Sequence, residues 1–155
     1  MAENDKPRSG KGREPQSDMA PEDVIRLLDR LERQGFSIWL DGGWGADALL
    51  QEQTRAHDDL DLIVRLDEVA RLQQELEQHG YYLAGGEAPL SFEMVDSDGR
   101  QIDIHPVVFD GDGDGIYRMN DGKNRRYLAA EFAGSGAIAG RTVRCLASLV
   151  SRSSV

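Results

Sequence analysis

The sequence predicts an α/β (α+β) domain in which helices flank a mixed sheet. Three observations lead there. Up to Gly80, segments with apolar residues at helical spacing alternate with segments of period two. Beyond Gly80 the period-two segments dominate, which favours strands. The 155 residues contain no internal repeat and suit one domain.

Each element follows from local pattern. Residues 1–20 carry Pro7, Gly10, Gly12 and Pro15 among charges and almost nothing apolar, so they read as a disordered tail ahead of a domain at 21–155. The first helix opens at Pro21-Glu22-Asp23, where proline and acids suit a first turn. Val24, Ile25, Leu28 and Leu31 form its apolar stripe, and Gly35 stops it. Phe36, Ile38 and Leu40 alternate, so 36–41 is a strand; Gly42 and Gly43 form a turn, and 44–50 a short helix. Leu60, Leu62 and Val64 alternate in a second strand. A second long helix covers 66–79, with Val69, Leu72 and Leu76 on its apolar side and Gly80 at its end. Residues 81–83, 90–95 and 101–109 read as further strands. Residues 127–132 fit either strand or helix. Residues 136–138 and 142–146 form a hairpin around Ala139-Gly140-Arg141, and 146–155 has no clear stop.

Two acids stand inside the second strand. Residues two apart on a strand share a face, so Asp59 and Asp61 project side by side. Adjacent carboxylates repel unless a cation lies between them, and hard oxygen donors suit Mg²⁺. Gly42 and Gly43 leave room for a backbone to approach a phosphate chain. Asp103, in Ile102-Asp103-Ile104, is again an acid between apolar neighbours. If its strand lies beside the Asp59–Asp61 pair, three carboxylates converge, enough to hold two metal ions roughly 4 Å apart for displacement at phosphorus. Asp103 is then also the candidate general base for an attacking hydroxyl. The pattern predicts metal-assisted chemistry on a nucleoside triphosphate.

Charge narrows the partners. Residues 1–20 hold four basic and four acidic side chains, so the rest carries the whole formal charge of −10. Such a surface repels nucleic acid and attracts cations. No apolar stretch is long enough to span a membrane and no secretory signal is evident, which points to the cytoplasm. A single cysteine, Cys145, excludes an internal disulfide and a cysteine metal cage, and reads as a buried apolar residue.

The run Trp39-Leu40-Asp41-Gly42-Gly43-Trp44-Gly45-Ala46-Asp47-Ala48-Leu49-Leu50, followed by Thr54-Arg55-Ala56-His57-Asp58-Asp59-Leu60-Asp61, resembles the small antibiotic nucleotidyltransferases. These comprise the lincosamide nucleotidyltransferases and the aminoglycoside 2''-adenylyltransferases of the nucleotidyltransferase superfamily. Asp103-Ile104-His105-Pro106 is similar to the lincosamide branch. The resemblance runs from about residue 22 to Cys145. It implies the nucleotidyltransferase (polymerase-β-like) fold and Mg²⁺-dependent transfer of AMP from ATP to a hydroxyl of a small cationic antibiotic, with resistance as the outcome. It implies that Asp59, Asp61 and Asp103 bind metal and carry catalysis, and that Gly42, Gly43, Arg55 and His57 form the nucleotide-binding set, with His57 orienting an aspartate or a phosphate. Family members also pair, so a homodimer is the one protein partner it implies. Relatives continue past the position of Cys145 with helices that this chain, ending in a serine-rich run, is expected largely to lack. A nucleotide-binding remnant without turnover, or a nucleotidyltransferase with another acceptor, are the alternative readings.

Other features stay outside that frame. His105 shares the face of Asp103 and is a candidate to hold a metal-binding acid in place. Glu93 is a candidate partner for a drug amine. Trp39 reads as core, and Trp44 as either core or a stacking surface. The run Asp110-Gly111-Asp112-Gly113-Asp114-Gly115, with Asp121, meets much of the calcium-loop spacing. It lacks a preceding helix, so a flexible hairpin loop is the better reading.

Overall fold

The structure, a computed structural model, describes residues 19–147. Residues 1–18 of the predicted tail at 1–20, and residues 148–155, which include the serine-rich run, lie outside the described residues. Met19 departs from the composition: it is buried in the core, and the backbone N–H of Ala20 donates to Asp23.

Seven strands form one mixed sheet, five of them on its main path. Along the chain run α1 (Pro21–Arg33), β1 (Ile38–Asp41), α2 (Gly42–Leu50), β2 (Asp59–Arg65), α3 (Val69–Gln78), β3 (Tyr82–Gly86), β4 (Phe92–Val95) and β5 (Gln101–Phe109). The spatial order is β1-β2-β5-β4-β3. β2 and β5 are parallel and every other neighbouring pair is antiparallel. The end of β5 pairs with β6 (Gly115–Arg118), which pairs with β7 (Asn124–Tyr127). A separate hairpin joins β8 (Ser135–Ile138) and β9 (Arg141–Arg144). It meets α2 so closely that a Cβ on Gly136 would collide with the Ala48 carbonyl. Arg141 pins the hairpin to α1 through Asp29 and Glu32.

Several boundaries move from the sequence reading. Gly42 and Gly43 open α2 instead of forming a separate turn. The second long helix begins with a 3-10 turn at Leu66–Glu68 before α3. The expected loop at 110–121 contains β6, and 127–132 is the end of β7 followed by a 3-10 turn at Ala129–Ala133. That stretch of 3-10 helix follows a strand end, which explains why neither period was clean.

The two faces of the sheet differ. Leu60, Leu62 and Val64 of β2, with Ile102 and Ile104 of β5, pack against Val24, Leu28 and Leu31 of α1 and Leu72 and Leu76 of α3. Burying each such side chain contributes roughly 1.5–3 kcal/mol. The opposite face holds a smaller apolar cluster of Trp39, Ile63, Val107, Tyr127 and Leu146. Trp39 Nε1 is satisfied by the carbonyl of Phe132 at 3.0 Å. A one-residue slip of β2 would put Asp59, Asp61 and Arg65 in the helix-covered core, so burial fixes the register strongly. No helix among the described residues is long and apolar enough to cross a membrane.

Candidate active site

On the open face the parallel pairing sets Asp61 beside Asp103 and Asp59 beside Gln101. Paired residues project to the same side. An oxygen from each of Asp59, Asp61 and Asp103 therefore lies within 4.8 Å of the other two. Among the described residues no Lys or Arg is ion-paired with any of the three. Gln101 Nε2 donates to Asp103 Oδ1 at 2.8 Å, and His105 Nε2 donates to Asp61 Oδ1 at 3.0 Å. The Tyr117 ring stands edge-on to His105, 5.8 Å between centroids. Burial, with the Asp59 and Asp61 carboxylates alongside, pushes the Asp103 carboxyl up to about 7, against the opposing hydrogen bond from Gln101. Three half-buried, un-neutralised carboxylates are a donor set that fits a hard divalent cation.

The same level of the sheet carries more acid. Asp41 of β1 pairs with Asp61, and Glu93 of β4 pairs with Asp103. Asp41, Asp61, Asp103 and Glu93 thus form one row across four strands. Glu93, Asp103 and His105 line a groove of about 550 Å³ whose far wall is Gly85, Gly86 and Ser91. Glu93 is exposed, so the groove offers solvent-facing negative charge beside the three converged acids. This row cannot be read from local sequence, because strand order decides it.

α2 begins directly over these acids. Gly42 has φ +62, and a Cβ there would collide with the Asp61 carboxylate. Glycine is required twice over, by backbone and by space. The first N–H groups of a helix have no partner within it, which makes this helix start a natural anion site. A Cβ on Gly43 would collide with the His57 ring at Nδ1 and Cε1. His57 is only 3% exposed, its Nε2 lies 2.6 Å from Asp47 Oδ2, and Trp44 packs against its ring at 5.1 Å. The structure thus places His57 behind the glycines rather than open to a ligand. Arg55 is exposed, and its guanidinium donates to the Ala56 carbonyl. Trp44 is buried, which settles it as core rather than a stacking surface. Asp47 was not singled out from sequence; its helical spacing from Gly43 was the available signal.

The aspartate-rich turn is a different construction. Arg126 bridges Asp110 at 2.6 Å and Asp114 at 3.0 Å. The remaining oxygens accept from the backbone of Asp112, Asp114 and Ala129. The Arg126 hydrogen bond holds the Asp110 carboxyl below the usual carboxylate range. These carboxylates close a tight turn into β6, which fits the hairpin reading over the calcium one.

The profile of the aminoglycoside-2''-adenylyltransferase family matches residues 23–152. The chain belongs to this family. It is 31% identical over 97 residues to a lincosamide resistance protein of Staphylococcus haemolyticus, covering 63% of this chain and 60% of that protein. It is 28% identical to a 2''-aminoglycoside nucleotidyltransferase of Klebsiella pneumoniae, covering 79% of this chain and 64% of that protein. The chain therefore spans about three fifths of the length of these curated relatives. Its fold matches the lincomycin-bound crystal structure of the lincosamide adenylyltransferase LnuA with a TM-score of 0.76 at 27% identity, over 84% of this chain and 82% of that one. Family and nucleotidyltransferase fold are thus as the motif around Asp41 and Asp59 implied.

Proposed function

We propose that this protein transfers AMP from ATP to a hydroxyl of a small cationic antibiotic, a lincosamide or an aminoglycoside, in the cytoplasm where ATP is available. The observation that carries this reading is the convergence of Asp59, Asp61 and Asp103, which among the described residues have no Lys or Arg partner, under a glycine-led helix start. Asp59, Asp61 and Asp103 are the residues that would hold Mg²⁺. When bound, that ion supplies charge neutralisation at the triphosphate and at the phosphorus under attack. The α2 start, Gly42 and Gly43, receives phosphate oxygens on backbone N–H groups, and Arg55 is the nearby cation for the outer phosphates.

Asp103 accepts the proton of the acceptor hydroxyl. The hydroxyl oxygen bonds to the α-phosphorus, the bond from that phosphorus to the bridging oxygen breaks, and pyrophosphate leaves with the bonding pair. His105 holds Asp61 in its orientation, and Glu93 pairs with an ammonium group of the acceptor at the groove. The formal charge of −10 supports a cationic acceptor over a nucleic acid.

Purified full chain, supplied with ATP, Mg²⁺ and in turn lincomycin, clindamycin, kanamycin or gentamicin, tests this by pyrophosphate release. Release with one drug class is the expected result and names the acceptor. Intact ATP binding with no release across the panel would overturn the acceptor assignment and leave a nucleotide-binding protein.

A further inference from the structure

Asp47 is the acid for which the proposed chemistry has no use, and it is almost wholly buried at 4% exposure. It lies on α2 one helical turn after Gly43, so both face the same side. Its carboxylate is saturated. Oδ2 accepts the Thr54 backbone N–H at 3.0 Å and lies 2.6 Å from His57 Nε2, while Oδ1 accepts the Thr54 hydroxyl at 2.8 Å. A buried carboxylate survives only where such bonds offset its desolvation. Here burial pushes the acid up, and the His57 and Thr54 bonds outweigh it, so its pKa stays below the ordinary value.

The geometry links two halves of one site. The His57 ring occupies the space a side chain on Gly43 would need, and Trp44 closes against it. His57 is two residues from Asp59, the first converged acid. Thr54 anchors the middle of the connection between α2 and β2. One carboxylate therefore ties the glycine-led helix start to the strand of acids.

We propose that Asp47 is a positioning residue for the nucleotide: through His57 and Thr54 it sets the spacing between the Gly42–Gly43 helix start and the Asp59–Asp61 strand, and so governs affinity for the metal-bound triphosphate without touching it. This rests on the nucleotidyltransferase reading. A side chain that only held the loop down would affect melting and leave the affinity of folded protein unchanged.

The test is calorimetric binding of ATP with Mg²⁺ to the full chain as wild type, Asp47→Asn and Thr54→Val, at a temperature where circular dichroism shows each fully folded. Asp47→Asn is expected to weaken binding at least tenfold and Thr54→Val several-fold, with the KM for the acceptor within twofold of wild type. Thr54→Val removes one bond and keeps the side-chain shape, so it decides the matter if Asp47→Asn does not fold. Folded variants that bind ATP within twofold of wild type would overturn the positioning role alone. A wild-type chain that binds no ATP with Mg²⁺ would overturn the nucleotidyltransferase reading and this inference together.

Discussion

The molecule contains two groups of three aspartates that look alike in sequence and differ in every physical respect. Asp59, Asp61 and Asp103 sit on two strands, half-buried; among the described residues no Lys or Arg pairs with them, and His105 meets Asp61 at 3.0 Å. Asp110, Asp112 and Asp114 sit on one tight turn, where Arg126 and backbone N–H groups, that of Asp112 among them, engage the Asp110 and Asp114 carboxylates. On the proposed function, only the first group serves a cation, and the difference teaches that carboxylate spacing alone does not decide it. What decides it is leaving the charge unneutralised where water is partly excluded, so that a cation gains what the protein withholds.

The largest effect should come from breaking the first group. Asp59→Asn or Asp103→Asn should lower turnover at least about a thousandfold, roughly 4 kcal/mol of transition-state stabilisation. Asp112→Asn, on the turn, should leave turnover within twofold. A thousandfold loss from Asp112→Asn, or none from Asp103→Asn, would reverse the contrast. Next is Gly42→Ala, whose Cβ meets Asp61 at a left-handed backbone position. Steady-state assays should show roughly a hundredfold loss of turnover, about 2.7 kcal/mol, because Asp61 is displaced.

The pH dependence should run in opposite senses. Asp103 has a folded pKa of about 7, above the 3.8 of an ordinary aspartate. Between those values the folded chain keeps a proton that the unfolded chain has released, so stability falls as pH rises and levels off above 7. Thermal melts in a chelator should therefore drop from pH 5 to pH 8 through this group, and Mg²⁺ should restore more at pH 8 than at pH 5. Asp103→Asn should flatten that slope. Asp110, held low by Arg126, contributes stability above pH 4 that is lost on acidification, so Asp110→Asn should flatten the acid limb instead. The smallest effect is Arg126→Ala. It should lower the melting temperature only slightly, since solvent screens exposed pairs, with turnover within twofold. Calcium titration of a variant carrying Asp59→Asn, Asp61→Asn and Asp103→Asn should leave its melting curve unmoved, because the aspartate-rich turn offers calcium nothing.

Much of this was legible from local pattern. Leu60, Leu62 and Val64 against Asp59 and Asp61 give a period of two that names both the strand and its wet face. Val24, Leu28 and Leu31, or Leu72 and Leu76, give the helical period equally plainly. Less legible were the places where one residue answers to a distant partner. Gly42 and Gly43 read as a turn, because nothing local shows that they start a helix under Asp61 and His57. His57 read as orienting an aspartate or a phosphate, and nothing local named Asp47, on the preceding helix, as its partner. The stretch at 127–132 was ambiguous because it changes from strand to 3-10 turn within a few residues.

By itself the sequence determined which residues are acids on strands, which faces are apolar, and the family to which those motifs belong. These are local properties, set by side-chain period and backbone preference. Only the tertiary structure decided that β5 lies beside β2, so that Asp103 joins Asp59 and Asp61, and that Asp41 and Glu93 extend them into one row. Only it decided that Arg126 bridges Asp110 and Asp114, while among the described residues no Lys or Arg pairs with the other group. Strand order and ion pairing join residues tens of positions apart, and are set by burying one continuous apolar face, which no short stretch of sequence records.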